Sequence, residues 1–184
     1  MTENNIKNKM IGDMVLPTSP EVLLSMLDDI GVKYDLYNHE AVFTVKQSDK
    51  VNSYIKGAHC RNLFLRDKKK QMFLVVVQNE TKIDLKKLSV LLDCGRLSFG
   101  SPERLWNNLC VKPGSVCPFS IINDKDHYVQ IVLDADMMNR DVVNYHPMVN
   151  TMTIGLNPEG LLKFIQSCGC VPNVIDLSPA APDE

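Results

Sequence analysis

No apolar run in the 184-residue chain approaches the ~20 residues that a membrane-crossing helix needs; the stretch from Phe73 to Val77 is only five residues long. A helical membrane span is therefore excluded. Nor is there an excess of positive charge: 20 Lys and Arg stand against 22 Asp and Glu, a net charge of −2, which speaks against a general nucleic-acid binder. The N-terminal stretch MTENNIKNKMIGDM has neither the apolar segment of a secretory signal nor the arginines of a transit peptide. Also missing are the G-x-S-x-G elbow, the Walker-type G-x-x-x-x-G-K-[ST] loop, the G-x-G-x-x-G fingerprint and the H-E-x-x-H zinc motif. The common catalytic signatures are thus absent.

With 45% hydrophobic and 23% charged residues, the composition excludes disorder, collagen-like repeats and coiled coil. Its length suits one domain with a sizeable core. The six cysteines, Cys60, Cys94, Cys110, Cys117, Cys168 and Cys170, are even in number, but a chain this large needs no staples. A reduced, cytoplasmic, monomeric protein is expected. Cys168-Gly169-Cys170 has one intervening residue where zinc pairs use two to four, and no second pair follows, so no metal or other cofactor is expected.

What the chain does carry is a repeated helix-opening device. Ser19-Pro20-Glu21, Ser101-Pro102-Glu103 and Asn157-Pro158-Glu159 each offer a capping oxygen, a proline at the first helical position and a carboxylate near the positive end of the helix dipole. Asp84 is a further cap, ahead of Leu85, Leu88, Leu91 and Leu92, and Thr44-Val45-Lys46-Gln47 has the form of a capping box for a helix running to about Tyr54. Strand-like runs cover 32–37, 62–67, 72–78, 97–99, 119–122, 128–133, 151–156 and 174–177. Lys68-Lys69-Lys70 and Asn123-Asp124-Lys125-Asp126 read as hairpin loops between them. The expected fold is α+β, a mixed, largely antiparallel sheet with helices packed on it. Residues 1–17 should form an arm, 18–177 the domain and 178–184 a polar, frayed tail.

Candidate chemistry is concentrated in three places. Cys60 lies beside His59 and Arg61, a setting that lowers thiol pKa values and makes it a candidate nucleophile, although no partner is fixed by sequence. Gly114-Ser115-Val116-Cys117-Pro118 is a turn able to aim backbone N–H groups at a carbonyl or phosphate oxygen, or else an ordinary connection. His146, held before Pro147, is either a structural residue or a general base. The segment from Lys56 to Lys70 holds six cations (Lys56, Arg61, Arg66, Lys68, Lys69, Lys70) and one acid, net +5 inside a chain of −2. Arg61 and Asn62 place a permanent cation and a bifunctional amide at the start of an apolar strand, either suited to a nucleotide's phosphate or ribose or simply part of a solvated loop leading into a core strand.

Six segments in order resemble the prolyl-tRNA synthetase-associated, YbaK-like family of aminoacyl-tRNA editing domains, and most of all its free-standing alanyl-tRNA(Pro) deacylase branch. They are Tyr37 to Val45, Gly57 to Asp67, Phe73 to Val77, Leu97 to Leu105, Gly114 to Phe119 and His146 to Thr153. The resemblance implies the YbaK-like fold and hydrolysis, in trans, of the ester joining a wrong amino acid to tRNA(Pro), with alanine first and cysteine or serine as alternatives. It implies that Arg61, Asn62 and Gly114 act at the ester, and that Phe43, Thr44, Ser115, Val116, Cys117, Pro118, His146, Pro147 and Asn150 line the amino-acid pocket. Lys56, Arg66, Lys68, Lys69 and Lys70 would hold the tRNA acceptor end, and prolyl-tRNA synthetase is a second candidate partner. Two departures stand out: Arg61 replaces the lysine of the family's lysine-asparagine pair, and Cys60 stands where threonine is common. A weakened binding module or an amino-acid sensor of the same fold are the alternatives from other classes.

Overall fold

The computed structural model describes residues 16–41 and 51–182. Four helices open on the caps read above. In α1 (Pro20–Asp29) the Ser19 hydroxyl accepts from the Val22 N–H at 3.4 Å, in α3 (Pro102–Leu109) that of Ser101 accepts from Arg104 at 3.3 Å, and in α4 (Pro158–Ser167) Asn157 Oδ1 accepts from Gly160 at 2.7 Å. Asp84 caps α2 (Leu85–Leu91), taking the N–H groups of Lys86 and Lys87. The helix expected from Thr44 lies mostly outside the described residues; residues 51–52 are helical.

Eight strands form one mixed sheet: β1 (Tyr34–Asn38), β2 (Ala58–Arg66), β3 (Met72–Gln78), β4 (Ser98–Phe99), β5 (Val129–Asp134), β6 (Val143–Tyr145), β7 (Met152–Leu156) and β8 (Asn173–Ile175). Their order is β1-β7-β6-β2-β3-β5-β8, with β4 paired to β2. The β1–β7, β6–β7, β2–β3 and β2–β4 pairings are antiparallel; β2–β6, β3–β5 and β5–β8 are parallel.

Side chains alternate across this sheet and separate two cores. Phe64, Leu74, Val76, Ile131 and Leu133 pack against α1, α3 and α4 through Leu23, Leu27, Leu109, Leu161 and Phe164. Leu65, Phe73, Val75, Val77 and Val132 pack on the other face against Leu88 of α2, Leu97 and Leu177. β3 is therefore buried on both faces, as its unbroken apolar run anticipates.

Four expectations require correction. Residues 119–122 are not a strand but part of a buried 3₁₀ turn over Pro118–Asn123, because Pro118 supplies no N–H and both the N–H and the hydroxyl of Ser120 turn back to the Cys117 carbonyl. Asn123 to Asp126 consequently joins no hairpin; the buried Asp124 carboxylate accepts the N–H groups of Tyr128 and Val129, at 3.1 and 2.7 Å, and so starts β5. Residues 178–180 do not fray: they form a 3₁₀ turn whose Ala180 is fully buried and whose carbonyl accepts the Asp84 N–H at 2.7 Å. Finally, β2 begins at Ala58, four residues before the expected start, and β6 was not anticipated, being only three residues long.

The early start of β2 depends on Gly57. Its φ is +105°, and a Cβ there would sit 2.8 Å from the Val142 carbonyl oxygen, so only glycine lets the chain enter beside β6. The pairing is short. β2 meets β6 only at Ala58 and His59, and β4 only at Leu65 and Arg66. Between these points no described strand covers the edge of β2 opposite β3.

Candidate active site

Some of the candidate residues gather at a cavity beside the start of β2, while Asn62 and the Gly114 to Pro118 loop are not among its lining. This cavity of about 210 Å³ is lined by Asn52, His59, Cys60, Arg61, Asn79, Asn144, Tyr145, His146 and Thr153. It brings together Cys60, Arg61 and His146, which lie as much as 86 positions apart in the chain. Among the described residues no Asp or Glu lines it.

Arg61 and Asn62 are neighbours in sequence but not in direction. The register of β2 puts Arg61 opposite Val77, on the face of Leu63 and Leu65, and Asn62 opposite Val76, on the face of Phe64. The Arg61 guanidinium donates to the Thr81 carbonyl, and its Nε is buried without a partner among the described residues. Asn62 Nδ2 donates to the Val116 carbonyl at 2.9 Å, leaving Oδ1 buried and without a donor among the described residues. An unmet buried donor and an unmet buried acceptor thus stand on adjacent residues, each costing about 1–3 kcal/mol while unpaired.

Asn62 is what places the glycine loop. Through Val116 it fixes the middle of Gly114 to Pro118 beside the open edge of β2. Gly114 has φ +90° with no atom within 4 Å of where a Cβ would be, and the Ser115 N–H donates to the Lys112 carbonyl at 3.0 Å. Below the loop, Cys117 and Pro118 are buried. Pro147 is buried in the turn after β6, where Asn150 is half-buried; neither lines the cavity. Phe43 and Thr44 lie outside the described residues.

Two imidazoles, His59 and His146, line the cavity and a third, His39, bonds to its Thr153; each is held by a backbone carbonyl. His146 Nδ1 donates to Met152 at 2.9 Å, His59 Nε2 to Ile55 at 2.9 Å, and His39 Nδ1 to Glu40 at 2.9 Å. Because a carbonyl can only accept, His146 keeps its lone pair on Nε2. His39 Nε2 in turn accepts from the Thr153 hydroxyl at 3.0 Å, and its ring meets that of His146 edge-on at 6.0 Å. Burial first, then the neighbouring His39 and His59, hold the His146 pKa below that of a free imidazole, against the opposing pull of the Met152 bond.

The thiols are placed for packing. Burial pushes Cys60 and Cys117 up to about 12 and Cys168 to about 11, and raises Cys94, Cys110 and Cys170 as well. The adjacent Arg61 does not rescue Cys60, since it points to the other face. Cys60 is thus held as a thiol at neutral pH, contrary to its expected activation beside His59 and Arg61. Among the described residues no group of three or more His, Cys, Asp or Glu is arranged to hold a metal.

The cations of the Lys56 to Lys70 segment divide. Lys56 borders a larger groove of about 800 Å³ at the start of β2, with Gln78, Glu80, Thr81, Asp136 and Arg140 among its lining residues. Arg66 and Lys68 to Lys70 lie at the far end, where the β2–β3 hairpin turns, about 26 Å away at the rise of an extended strand. Sequence reading missed His39, Asn144, Tyr145 and Thr153. His39 and Thr153 had left a sign there, inside the Tyr37 to Val45 and His146 to Thr153 segments.

The chain belongs to the aminoacyl-tRNA editing domain family, also called YbaK/ProX, which it matches over residues 39–164. It is 34% identical over 158 residues to the prolyl-tRNA editing protein ProX of Acetoanaerobium sticklandii, covering 85% of this chain and 96% of that one. It is likewise 34% identical over 155 residues to the prolyl-tRNA synthetase associated domain-containing protein 1 of Mus musculus, covering 82% and 91%. Its fold matches the crystal structure of a candidate trans-editing enzyme for prolyl-tRNA synthetase with a TM-score of 0.65, at 20% identity over 89% of this chain and 98% of the other. No helix among the described residues is long and apolar enough to cross a membrane.

Proposed function

We propose that the protein is a cytoplasmic, monomeric trans-editing hydrolase that deacylates mischarged tRNA(Pro), with alanine as the amino acid removed. The observation that carries this reading is the Asn62–Val116 bond, which sets an unmet acceptor, Asn62 Oδ1, beside the left-handed glycine turn. A terminal ribose hydroxyl would satisfy that acceptor. Water attacks the ester carbonyl carbon, backbone N–H groups of the Gly114 to Pro118 loop meet the charge on the carbonyl oxygen, and the C–O bond to the ribose breaks. The ribose oxygen takes the proton, releasing alanine and tRNA. An aminoacyl ester is already activated, so positioning and oriented dipoles suffice without a triad.

A cavity of about 210 Å³ suits a small side chain, and its neutral acceptors, His146 Nε2 and the amide of Asn79, would receive the α-amine. The decisive experiment compares deacylation of alanyl-, cysteinyl-, seryl- and prolyl-tRNA(Pro). Fast loss of alanine alone is expected, and no hydrolysis above the protein-free rate for any of them would end the enzyme reading. The Arg61 contact with the Thr81 carbonyl favours one second reading, a weakened module that binds tRNA or prolyl-tRNA synthetase. Arg61→Lys separates the two: a fall in rate marks an adapted arginine, whereas a large gain marks a weakened enzyme.

A further inference from the structure

Phe99 is an apolar ring left largely in water, at 64% exposure, on a strand of two residues. Its surroundings are basic. Across the ladder, Arg66 stands opposite Ser98 and Leu65 opposite Phe99 itself. Arg96 precedes the strand, Arg104 lies in the helix that follows it, and Lys68, Lys69 and Lys70 form the adjacent hairpin turn. All of these cations are exposed except Arg66, which is half-buried. Over residues 66–70 and 93–104, six cations face three acids, Asp67, Asp93 and Glu103.

One of those acids is turned inward and builds the patch. Asp67 is 1% exposed; its Oδ1 accepts the Gln71 N–H at 3.0 Å and its Oδ2 the Gly95 N–H at 3.1 Å. A single carboxylate thus ties the lysine turn to the segment that leads through Arg96 to Phe99. A flat aromatic face set among mobile cations is the arrangement that takes an unpaired base on the ring and its phosphates on the side chains. A protein partner would be served as well by apolar area alone, but Phe99 has no other large exposed apolar residue on β4 or the facing stretch of β2.

We infer that Phe99, with Arg66, Arg96, Arg104 and the Lys68 to Lys70 turn, is a stacking platform for an unpaired nucleotide of the RNA strand that carries the ester. This rests on the tRNA reading above. Phe99 stands opposite Leu65, three residues or about 10 Å along β2 from Asn62, so a short single-stranded tail passing over the uncovered edge of β2 spans the platform and the ester site. The charge complementarity favours RNA over an apolar protein surface.

The test measures affinity of the full chain for uncharged tRNA(Pro) carrying 2-aminopurine in its unpaired 3′ tail, alongside steady-state deacylation of alanyl-tRNA(Pro). Phe99→Ala should weaken binding at least about fivefold, the lower end for loss of one stacked base, and abolish the quenching of 2-aminopurine. It should raise KM with kcat unchanged, while Phe99→Trp restores both binding and quenching. Equal affinity and quenching in Phe99→Ala would overturn the platform, as would a loss confined to association with prolyl-tRNA synthetase. Tight, quenched binding by a wild type that hydrolyses nothing would end the deacylase reading and leave the platform standing. A wild type that binds no tRNA overturns both.

Discussion

Asn62 and Val116, 54 positions apart, are joined by one hydrogen bond of 2.9 Å that fastens the glycine turn to the open edge of the central strand. Asn62→Ala removes it together with the unmet acceptor. The expected result is a loss of kcat/KM of about 100-fold or more, in the range of a lost oxyanion-type contact, and a modest fall in stability of about 1 kcal/mol. At this chain length that is about 2–4 °C in Tm. Deacylation kinetics and thermal unfolding measure the two separately, and a variant that lost only stability would remove Asn62 from the reaction.

Gly114 presents strain without crowding. A methyl group there meets no atom within 4 Å, so Gly114→Ala costs only what a φ of +90° imposes on a residue with a Cβ, about 1–2 kcal/mol. If the loop relaxes to a negative φ instead, its N–H groups turn away from the ester. The variant is expected to keep its fold, lower kcat and leave KM nearly unchanged.

The buried thiols yield a chemical prediction. With Cys60 and Cys117 pushed to about 12, almost no thiolate exists at pH 8, so iodoacetamide should modify the native protein slowly and the unfolded protein fast. Cys60→Ser should retain most of the activity. Rapid inactivation by alkylation of Cys60 would restore the nucleophile that the structure removes.

His146 sets a pH dependence. Its folded pKa lies below the unfolded value of ~6.5, so the unfolded chain binds the proton first as pH falls. The contribution of this group to stability is whole above about pH 6.5 and is lost as pH falls through the folded value. His39→Gln removes an imidazole whose charge opposes that of His146, so the acidic limb of the kcat/KM profile should move to higher pH. An unmoved limb would assign it to another group.

Much of this was legible in the sequence, for identifiable reasons. The four caps worked because each involves groups two or three residues apart, and β3 because an apolar run of its length fits no exposed element. The run at Phe119 to Ile122 misled because burial alone does not distinguish a strand from a 3₁₀ turn; the deciding bond, Ser120 to Cys117, is a side-chain choice. The site was harder. That Arg61 and Asn62 face opposite ways follows from strand alternation once β2 is known to begin at Ala58, but that start depends on Gly57 meeting Val142, 85 positions away. Likewise His39 reaches His146 only through the β1–β7 and β6–β7 ladders.

The double grip of Asp67 on Gln71 and Gly95 also bears on rates of association. Because it fixes two basic segments to one another during folding, their backbones lose no further freedom when an anion arrives; only the ends of the side chains must still be ordered. Electrostatic steering then meets a preorganised array, and encounter should be fast, strongly dependent on ionic strength and short-lived, as suits a protein that must release each RNA before taking the next.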